Sequence, residues 1–547
     1  MFEAILYLLL VAGSVCCLTP LARYFYDPLD LRRYPAANTL AAITPLWLVK
    51  ETWNQRRSAT IHRLHQKLGP VVRISPNQVL LNDPKAIPEI YGHLQARKFE
   101  KDVFYDNLTA GGLHDIVTSR DHDEHSRKRR YLANSFALKT VVDMEPVIRT
   151  NFQRLLNRID ETPGSSLNIR LWLNYFTLDV IGDMAYGSPL GFLEQGHDKF
   201  RAETANGQVY CVKSTIDTLH RGTRFSVTLA QFLSTTTVLA LKSVLSRTTS
   251  VHALPNAESA DDFTNIARYQ LHKVTNTTLS VDSNCELDAD YYKRLDIGEP
   301  NRRSRDFMSG ILSTKGGDKR DISRAELVAE SVVFLNAGSD TTAAALTNTL
   351  YYLLANPQCL STLRREIDQI VHHDDLDDEI LPHASVRGLS YLRACIDESL
   401  RLRPPISYPL QRVVTAPEGA TVLGHHLRKG TVVAVPPFSV HRHGIFPAAE
   451  AFTPERWLDP SQLPDLKAYT IPFSTGPRAC LGRHIAIVEL QILIATLVWR
   501  YDMELEDPGR GLDIFERFQS NPGPMHVLFR RRHVQQCQSK QPAFTMS

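Results

Sequence analysis

The chain has 547 residues, with a hydrophobic content of 43% and a charged content of 22%, values typical of a globular protein with a large core. Its formal net charge of +3 is close to neutral for this length, which excludes a nucleic-acid binder that works by bulk positive charge. The eight cysteines form no CxxC pair, so a zinc ribbon, a thioredoxin motif and a disulfide framework are all disfavoured.

The first residues predict a membrane anchor. No residue from Ala4 to Ala22 is charged, and this length is close to the roughly 20 residues that span a bilayer. The basic residues that follow, beginning with Arg23, place that side in the cytosol. A cleaved secretory signal is the alternative, but Glu3 and the lack of a basic residue before the apolar core favour a retained anchor.

The rest of the chain predicts one long folded unit in which helices dominate. We expect four consecutive segments: a membrane anchor (residues 1–26), a linker (27–57), the folded unit (58–532) and a disordered tail (533–547). Strand-like runs are few and short, namely VVRIS near Val71, QVLLN near Val79 and TVVAV from Thr431. The polar stretch His252–Arg305 is predicted to be a surface excursion that contains a helix. The predicted fold class is therefore mainly α with small β-sheets.

One predicted helix is long enough to cross an entire domain. Ser323 and Glu326 form a capping box, and Asn356 followed by proline is a stop signal. The helix then covers roughly 30 residues, or about 45 Å. Its middle, Ala337-Gly338-Ser339-Asp340-Thr341-Thr342, is too polar for a second membrane span. A new helix start in this stretch is the alternative, but apolar helical sequence on both sides favours a groove at its glycine that binds and protonates a small ligand.

Two further segments carry charges that could pair. In ACIDESLRLRPP, Glu398 and Arg401 lie three residues apart on a helix, and the segment PERW supplies Arg456. Such a pair is common on any helix surface and by itself indicates little. If it is buried, a Glu–Arg–Arg cluster needs mutual pairing to be tolerated.

The segment EHSRKRRYLANSFA (Glu124–Ala137) begins a predicted helix with a run of basic residues. The ordinary interpretation is a solvated basic face. The functional interpretation is that His125 and Arg129, four residues apart, point inward at an anion. The remaining cations would then face a negatively charged partner.

The segment FSTGPRACLGR (Phe473–Arg483) holds a lone cysteine, Cys480, between glycines and close to a cation. A free cysteine is usually a small buried hydrophobe, so packing is the simpler interpretation. The alternative is a thiolate held ready for a metal. The segment alone does not decide between the two.

Together and in this order, the segments resemble the cytochrome P-450 family of heme-thiolate monooxygenases. The family pattern FxxGxRxCxG is met by Phe473, Gly476, Arg478, Cys480 and Gly482. The patterns (A/G)Gx(D/E)T(T/S), ExxR and PERF are met by Ala337–Thr342, by Glu398 with Arg401, and by Pro454–Trp457, where tryptophan replaces the last phenylalanine. His125 stands where the family has a tryptophan, and a histidine can still donate to a propionate. The resemblance covers nearly the whole chain and implies the cytochrome P-450 fold, preceded by one N-terminal transmembrane helix.

The resemblance implies heme b as the cofactor and assigns roles to the candidate residues. Cys480 would be the axial thiolate ligand of the iron. The groups that would pair with the heme propionates are Arg478, His125 and Arg129. The residues that would shape the loop against the ring are Phe473, Gly476 and Gly482.

The remaining candidates fall into three further roles under the same resemblance. Thr341 and Asp340 would support proton delivery on the oxygen-binding side of the heme. The cluster that would brace the fold is Glu398, Arg401 and Arg456. The apolar substrate pocket would include Phe104, Phe334, Ile406, Tyr408 and Phe518.

The implied reaction inserts one oxygen atom of dioxygen into a C–H or C=C bond of a small, mostly apolar substrate. Because the sequence shows no dinucleotide fingerprint, the electrons would come from an NADPH-cytochrome reductase in the same membrane. The candidate docking residues are Arg127, Lys128, Arg130 and Arg483. The protein would be a single-pass protein of the endoplasmic reticulum membrane, with its body in the cytosol.

Several functions remain open within this resemblance. We expect a step of fungal secondary-metabolite biosynthesis, and the alternative is hydroxylation of small aromatic acids. A heme-thiolate isomerase or dehydratase is disfavoured because Asp340 and Thr341 are both present. A non-catalytic heme sensor or membrane scaffold would have no use for these two residues.

Overall fold

Helices make up most of the chain that the structure, a computed structural model, describes: residues 18–109, 112–161, 163–231, 257–275, 306–312, 322–371 and 379–532. The α-helices in chain order are α1 (18–26), α2 (Thr39–Ile43), α3 (Leu46–Trp53), α4 (Arg57–Leu68), α5 (Ala86–Tyr91), α6 (His122–Leu132), α7 (Leu138–Asp143), α8 (Glu145–Asp160), α9 (Ile169–Tyr186), α10 (Phe192–Gln195), α11 (Thr215–Leu229), α12 (Ala257–Thr275), α13 (Phe307–Leu312), α14 (Arg324–Ala355), α15 (Pro357–Asp368), α16 (His383–Val386), α17 (Ser390–Leu402), α18 (Pro437–Val440), α19 (Leu463–Tyr469) and α20 (Arg483–Arg500).

The strands are short. They are β1 (Val71–Ser75), β2 (Gln78–Leu81), β3 (Phe99–Lys101), β4 (Ser166–Asn168), β5 (Phe200–Glu203), β6 (Val209–Val212), β7 (Arg412–Val414), β8 (Ala420–Val422), β9 (His425–Leu427), β10 (Val432–Ala434), β11 (Tyr501–Leu505), β12 (Ile514–Glu516), β13 (Ser520–Pro522) and β14 (His526–Arg531). The predicted fold class, mainly α with small sheets, is confirmed.

The largest sheet has five strands in the order β1-β2-β10-β7-β3, and only its β2–β10 pair is parallel. The three strand-like runs of the sequence form β1, β2 and β10, as predicted. Alternate side chains enter two different apolar clusters, with Val79 and Leu81 on one face and Val72 and Leu80 on the other. At the far edge, the pairing of β3 with β7 sets Lys101 opposite Arg412.

The main hydrophobic core surrounds α14, which packs against α9 and α20. This helix has 32 residues, and the Ser323 hydroxyl oxygen accepts a hydrogen bond from the backbone N–H of Glu326 at its start. It ends at Asn356. The predicted helix, its cap and its stop signal are therefore confirmed. It is buried on nearly all sides, which explains why its sequence is not amphipathic.

The prediction of a surface excursion over His252–Arg305 is wrong for the part that the structure describes. Residues Ala257–Thr275 do form a helix, α12, but Phe263, Ile266 and Tyr269 on it are buried in the main core. The helix packs against α11 and α14. These apolar residues recur at helical spacing and form one buried face of the helix. The prediction was wrong because it rested on the average polarity of the segment and not on this spacing.

The N-terminal and C-terminal predictions fall mostly outside the described residues. Residues 1–17, most of the predicted anchor, and the tail 533–547 are not described. Among the helices in the described ranges, none is long and apolar enough to cross a membrane. Within the predicted linker, α2 and α3 pack against the five-stranded sheet through Ala41, Trp47 and Leu48.

Candidate active site

A cavity of about 280 Å³ lies between the middle of α14, the loop before α20 and the turn between β12 and β13. Cys480 on the loop and Thr341 on the helix both line it. Most of its remaining wall is apolar, with Ile116, Val333 and Phe334 as examples. The cavity therefore brings the cysteine segment and the polar middle of the long helix to one place.

The cysteine loop is folded tightly against α5. The backbone N–H of Cys480 donates to the carbonyl oxygen of Phe473 at 2.8 Å. Ser474 and Gly476 have positive φ angles of 56° and 69°. A Cβ atom on Gly476 would lie 1.9 Å from the backbone oxygen of Tyr91, so only glycine fits there. Gly482 has no such constraint in the described structure; it caps the start of α20.

The thiol of Cys480 faces the cavity, which is why its side chain is accessible although the loop lies inside the protein. Burial raises the pKa of this thiol, and the backbone N–H of Gly482 and the side chains of Arg129 and Arg483 oppose that rise. Burial outweighs these groups, so the pKa stays above its ordinary value. The N–H group and the two arginines are nevertheless the kind of neighbours that stabilise a thiolate once a metal ion binds it.

The predicted propionate partners His125, Arg129 and Arg478 all line the same cavity, and the structure adds Lys101 and Arg412, which the sequence motifs did not indicate. The donors of the lysine and the three arginines are directed to backbone oxygens and not to carboxylates. Arg129 donates to the carbonyl of Ala479 at 2.8 Å, and Lys101 to that of Val117. Arg478 donates to the carbonyls of Ser119 and Arg120 at 2.6 and 2.8 Å.

Few acidic groups compensate these basic side chains within the protein, so their charged forms are disfavoured. Burial, followed by the like charges of Arg478 and Arg412, holds the pKa of Lys101 well below its ordinary value. Burial, together with Arg478, Lys101 and Arg129, lowers the pKa of His125 to about 2. Among the residues that the structure describes, no aspartate or glutamate lines the cavity. A dianion is therefore the ligand that this end of the cavity suits, and a heme with its two propionates, placed over a cysteine, fits the residues present.

One predicted docking residue is not on the surface. Lys128 is only 1% exposed, and its ammonium group pairs with Glu326 and Glu330, both at 2.9 Å. The prediction that Lys128 faces a partner is therefore wrong. Its position on α6 points inward to α14, where acidic residues of that helix neutralise it.

The other predicted docking residues, Arg127, Arg130 and Arg483, are exposed. Arg127 also pairs with Glu326 at 2.7 Å.

The polar middle of α14 is continuous helix at the cavity wall. Thr341 lines the cavity, and its hydroxyl donates to the carbonyl of Ala337 one turn earlier, at 2.7 Å. Gly338 is also at the wall, but a Cβ there would lie 2.7 Å from Ile181 on α9. The glycine therefore allows close packing of the two helices as well as lining the cavity.

Asp340 does not line the cavity in the described structure. Its carboxylate is buried and accepts from Arg170 at 3.1 Å, Asn521 at 2.5 Å and the imidazole of His220 at 3.2 Å. Burial, the largest influence, raises the pKa of Asp340, but His220, Arg170 and Asn521 together lower it well below its ordinary value. Asp340 is thus an ionised carboxylate held by three partners, which sequence motifs could not indicate because they come from distant segments.

The charges of Glu398, Arg401 and Arg456 meet in one buried cluster. Arg401 donates to both carboxylate oxygens of Glu398 at 2.8 Å, and Arg456 donates at 3.2 Å. The indole N–H of Trp457 also donates to Glu398, at 2.9 Å. Tryptophan in the last position of PERW therefore adds a hydrogen bond that phenylalanine cannot make. Burial raises the pKa of Glu398, but Arg401 and Arg456 outweigh it and lower the pKa.

The predicted substrate-pocket residues divide into two groups. Phe334, Ile406 and Phe518 line the cavity, whereas Phe104 and Tyr408 are not among its lining residues. Phe104 stacks on Tyr408 with ring centroids 5.3 Å apart, and both pack behind Phe518.

The position of Tyr408 is fixed from its other side. The guanidinium of Arg57 lies 3.6 Å from its ring centroid, an arrangement that stabilises a buried aromatic ring. Phe104 and Tyr408 therefore support the wall and do not form it. Tyr105 and Gln519 line the cavity instead.

Comparisons with known proteins agree with this arrangement. A family model described as Cytochrome P450 matches residues 40–529. A benzoate 4-monooxygenase of Aspergillus niger is 30% identical over 95% of this chain and 97% of its own length. The cytochrome P-450 monooxygenase cicH of Emericella nidulans is 30% identical over 87% of this chain and 89% of its own. An averantin hydroxylase of Dothistroma septosporum is 30% identical over 88% of this chain and 82% of its own.

Proposed function

The chain belongs to the cytochrome P-450 family and is a monooxygenase of that family, and we propose that it oxidises a mostly apolar molecule in fungal secondary-metabolite biosynthesis. The proposed reaction inserts one oxygen atom into a C–H or C=C bond. The observation that supports this proposal is that one cavity is lined by Cys480, by several basic side chains and by apolar residues.

Family membership implies a heme-thiolate cofactor, and the residues present fit it. In the proposal, Cys480 binds the iron as a thiolate, while Arg129, Arg478 and His125 hold the propionates. Lys101 and Arg412 join this set because they line the same cavity. When bound, the heme supplies the activation of dioxygen, which thiolate ligation favours.

On the helix side of the cavity, Thr341 and Asp340 are proposed to move a proton. The Thr341 hydroxyl can both accept and donate a hydrogen bond, and while it donates to the carbonyl of Ala337 its oxygen can still accept one. Asp340 contacts His220, whose side chain is 17% exposed. In the proposed relay a proton from solvent reaches Asp340 through His220, and Asp340 would have to exchange one of its three hydrogen bonds before its side chain could turn toward Thr341.

The apolar walls support an apolar substrate, and the relatives support two substrate classes. Averantin hydroxylase, the monooxygenase cicH and the benzoate 4-monooxygenase are each 30% identical to this chain over their matched residues. Hydroxylation of a small aromatic acid is therefore the second candidate. The Ile406 and Phe518 side chains give the cavity an apolar, partly aromatic wall that either class would contact.

The electron donor proposed is an NADPH-cytochrome reductase that docks on the exposed arginines Arg127, Arg130 and Arg483. Their positive charge suits an acidic partner surface. The proposed location is the endoplasmic reticulum membrane, with the catalytic body in the cytosol, and the uncharged run Ala4–Ala22 supports it.

Reconstitution with a reductase tests the proposal. Purified protein, reductase, NADPH and dioxygen are incubated with candidate terpenes, polyketides and aromatic acids, and products are identified by mass spectrometry. The proposal predicts products that gain one oxygen atom, with the atom derived from labelled dioxygen. Product formation without NADPH and dioxygen would instead indicate an isomerase or a dehydratase, and heme binding with no product from any class would indicate a sensor.

A further inference from the structure

We propose that the side-chain amide of Gln519, positioned by Asn336, forms a neutral hydrogen-bonding site at the cavity wall that binds a hydroxyl or carbonyl group of the substrate. This inference rests on the proposed function and deepens it, because it distinguishes neutral substrates from carboxylic acids. Three observations support it: the position of the two amides, the donors and acceptors that they leave unused, and the apolar surface around them.

Gln519 is held rigidly at the cavity wall. It lies in the turn between β12 and β13, where the backbone N–H of Arg517 donates to the Gln519 carbonyl at 2.8 Å. The next residue, Ser520, donates from its backbone N–H to the carbonyl of Pro405 at 2.7 Å. Gln519 is 4% exposed and lines the cavity beside Phe518. A side chain fixed in this way presents its amide at a defined place.

The Gln519 amide pairs with α14. Its Nε2 donates to Oδ1 of Asn336 at 2.6 Å. Asn336 does not itself line the cavity; it directly precedes Ala337, which does, and so it holds the Gln519 amide from the helix side. The pair therefore bridges the β12–β13 turn and the helix that carries Thr341.

Some hydrogen-bond donors and acceptors of the two amides are not used by their mutual contact. Two primary amides together offer two carbonyl oxygens and two NH₂ groups, and one mutual hydrogen bond uses one donor and one acceptor. Among the described residues, no further hydrogen bond is found to either side-chain amide. The free carbonyl oxygen of Gln519 is not a buried atom without a partner, so it remains accessible, and Gln519 lines the cavity. This holds for either orientation of the two amides, since exchanging O and N still leaves a free carbonyl and free N–H groups.

The surroundings make this site selective. The neighbouring wall is apolar, with Val333, Phe334 and Phe518 as examples. Once a substrate excludes water from this wall, an amide without a partner is costly, and a substrate that bears a hydroxyl or carbonyl group satisfies it. A purely hydrocarbon substrate of the same shape would leave the amides unpaired.

The charge distribution favours a neutral group over a carboxylate. The cations of the cavity gather on the side of the cysteine loop, where Arg129 contacts Ala479 and Arg478 contacts Ser119. In the proposed function they hold propionates. The nearby Arg170 is paired with Asp340, the guanidinium of Arg517 in the same turn donates to Asn521 at 3.0 Å, and neither arginine lines the cavity. A carboxylate at the amide pair would therefore be desolvated without a counter-charge.

The test is binding of three matched probes to the ferric holoenzyme, measured by the spectral shift on substrate binding. The probes are naphthol, methylnaphthalene and naphthoate, each substituted at the same ring carbon. We expect naphthol to bind about three- to tenfold more tightly than methylnaphthalene, as one net hydrogen bond allows, and naphthoate to bind most weakly. In Gln519→Leu and in Asn336→Leu the naphthol preference should disappear, whereas Gln519→Glu, which keeps an acceptor, should retain part of it.

Ile406→Val is the matched control, because it changes an apolar wall residue of the same cavity and should alter the affinities of naphthol and methylnaphthalene equally. The carbon monoxide spectrum of each reduced variant reports whether the heme site is intact. Equal binding of naphthol and methylnaphthalene to the wild type, a preference unchanged in both leucine variants, or tightest binding of naphthoate would overturn the inference. A missing thiolate-type carbon monoxide spectrum in the wild type would instead refute the proposed function, so the two failures are distinguishable.

Discussion

Replacing Trp457 by phenylalanine restores the residue that the family pattern has at this position, and we expect it to destabilise this protein. The indole N–H donates to Glu398 at 2.9 Å inside the cluster that also contains Arg401 and Arg456. Glu398 is completely buried, so water does not replace the lost donor. The carboxylate then keeps its arginine partners but loses one hydrogen bond.

The expected magnitude has two parts. A hydrogen bond to a charged group contributes about 1.5 to 3 kcal/mol to stability. Trp457 is 6% exposed, and the smaller phenyl ring removes packing worth on the order of 1 kcal/mol. The free energy of unfolding of Trp457→Phe should therefore fall by about 3 kcal/mol.

The assay is urea unfolding of the holoenzyme, followed by circular dichroism, with the change read from the midpoint and slope. Trp499→Phe is the control, because Trp499 is half-buried and no hydrogen bond of its indole nitrogen is found in the described part of the chain. That variant should lose only the packing contribution, about 1 kcal/mol. If Trp457→Phe loses no more stability than Trp499→Phe, the indole hydrogen bond does not stabilise the cluster.

Three further predictions concern the cavity and its supports. Gly476→Ala should abolish recovery of heme-loaded protein, because its Cβ would overlap the backbone oxygen of Tyr91, whereas Gly444→Ala, with no atom within 4 Å, should be recovered normally. Burial, opposed by Lys128, raises the pKa of Glu330 to about 7, so the folded state loses stability as the pH rises from 4.5 to about 7. Glu330→Gln should reduce this loss of stability by on the order of 3 kcal/mol. A pH profile of urea midpoints that is the same in Glu330→Gln and in the wild type would contradict this prediction. Thr341→Ala should increase peroxide release per NADPH consumed, measured by peroxidase assay, and unchanged coupling would refute its role in proton delivery.

Local signals in the sequence predicted the framework of the site well. The capping box at Ser323 and the stop at Asn356 are short-range features, and they define both ends of α14. The resemblance implied that Gly476 shapes the loop, and its positive φ angle of 69° agrees with that role. These features depend on neighbours in the sequence and not on the remainder of the fold.

Features that depend on distant pairings were not predicted. Lys101 and Arg412 enter the cavity because β3 pairs with β7 across more than half the chain, and neither residue belongs to a motif. Asp340 has the residue type expected of a proton carrier, but its partners Arg170 and His220 come from α9 and α11. Phe104, an expected pocket residue, is covered by Phe518.

The central claim is that Cys480 is the thiolate ligand of a heme, and the absorption spectrum of the reduced protein with carbon monoxide tests it most directly. The wild type should show the long-wavelength Soret band of thiolate-ligated heme, because Cys480 faces the cavity beside the start of α20. Cys480→Ser should lack that band and should not turn over substrate. A Cys480→Ser protein that retains the same band and the same turnover would contradict the claim.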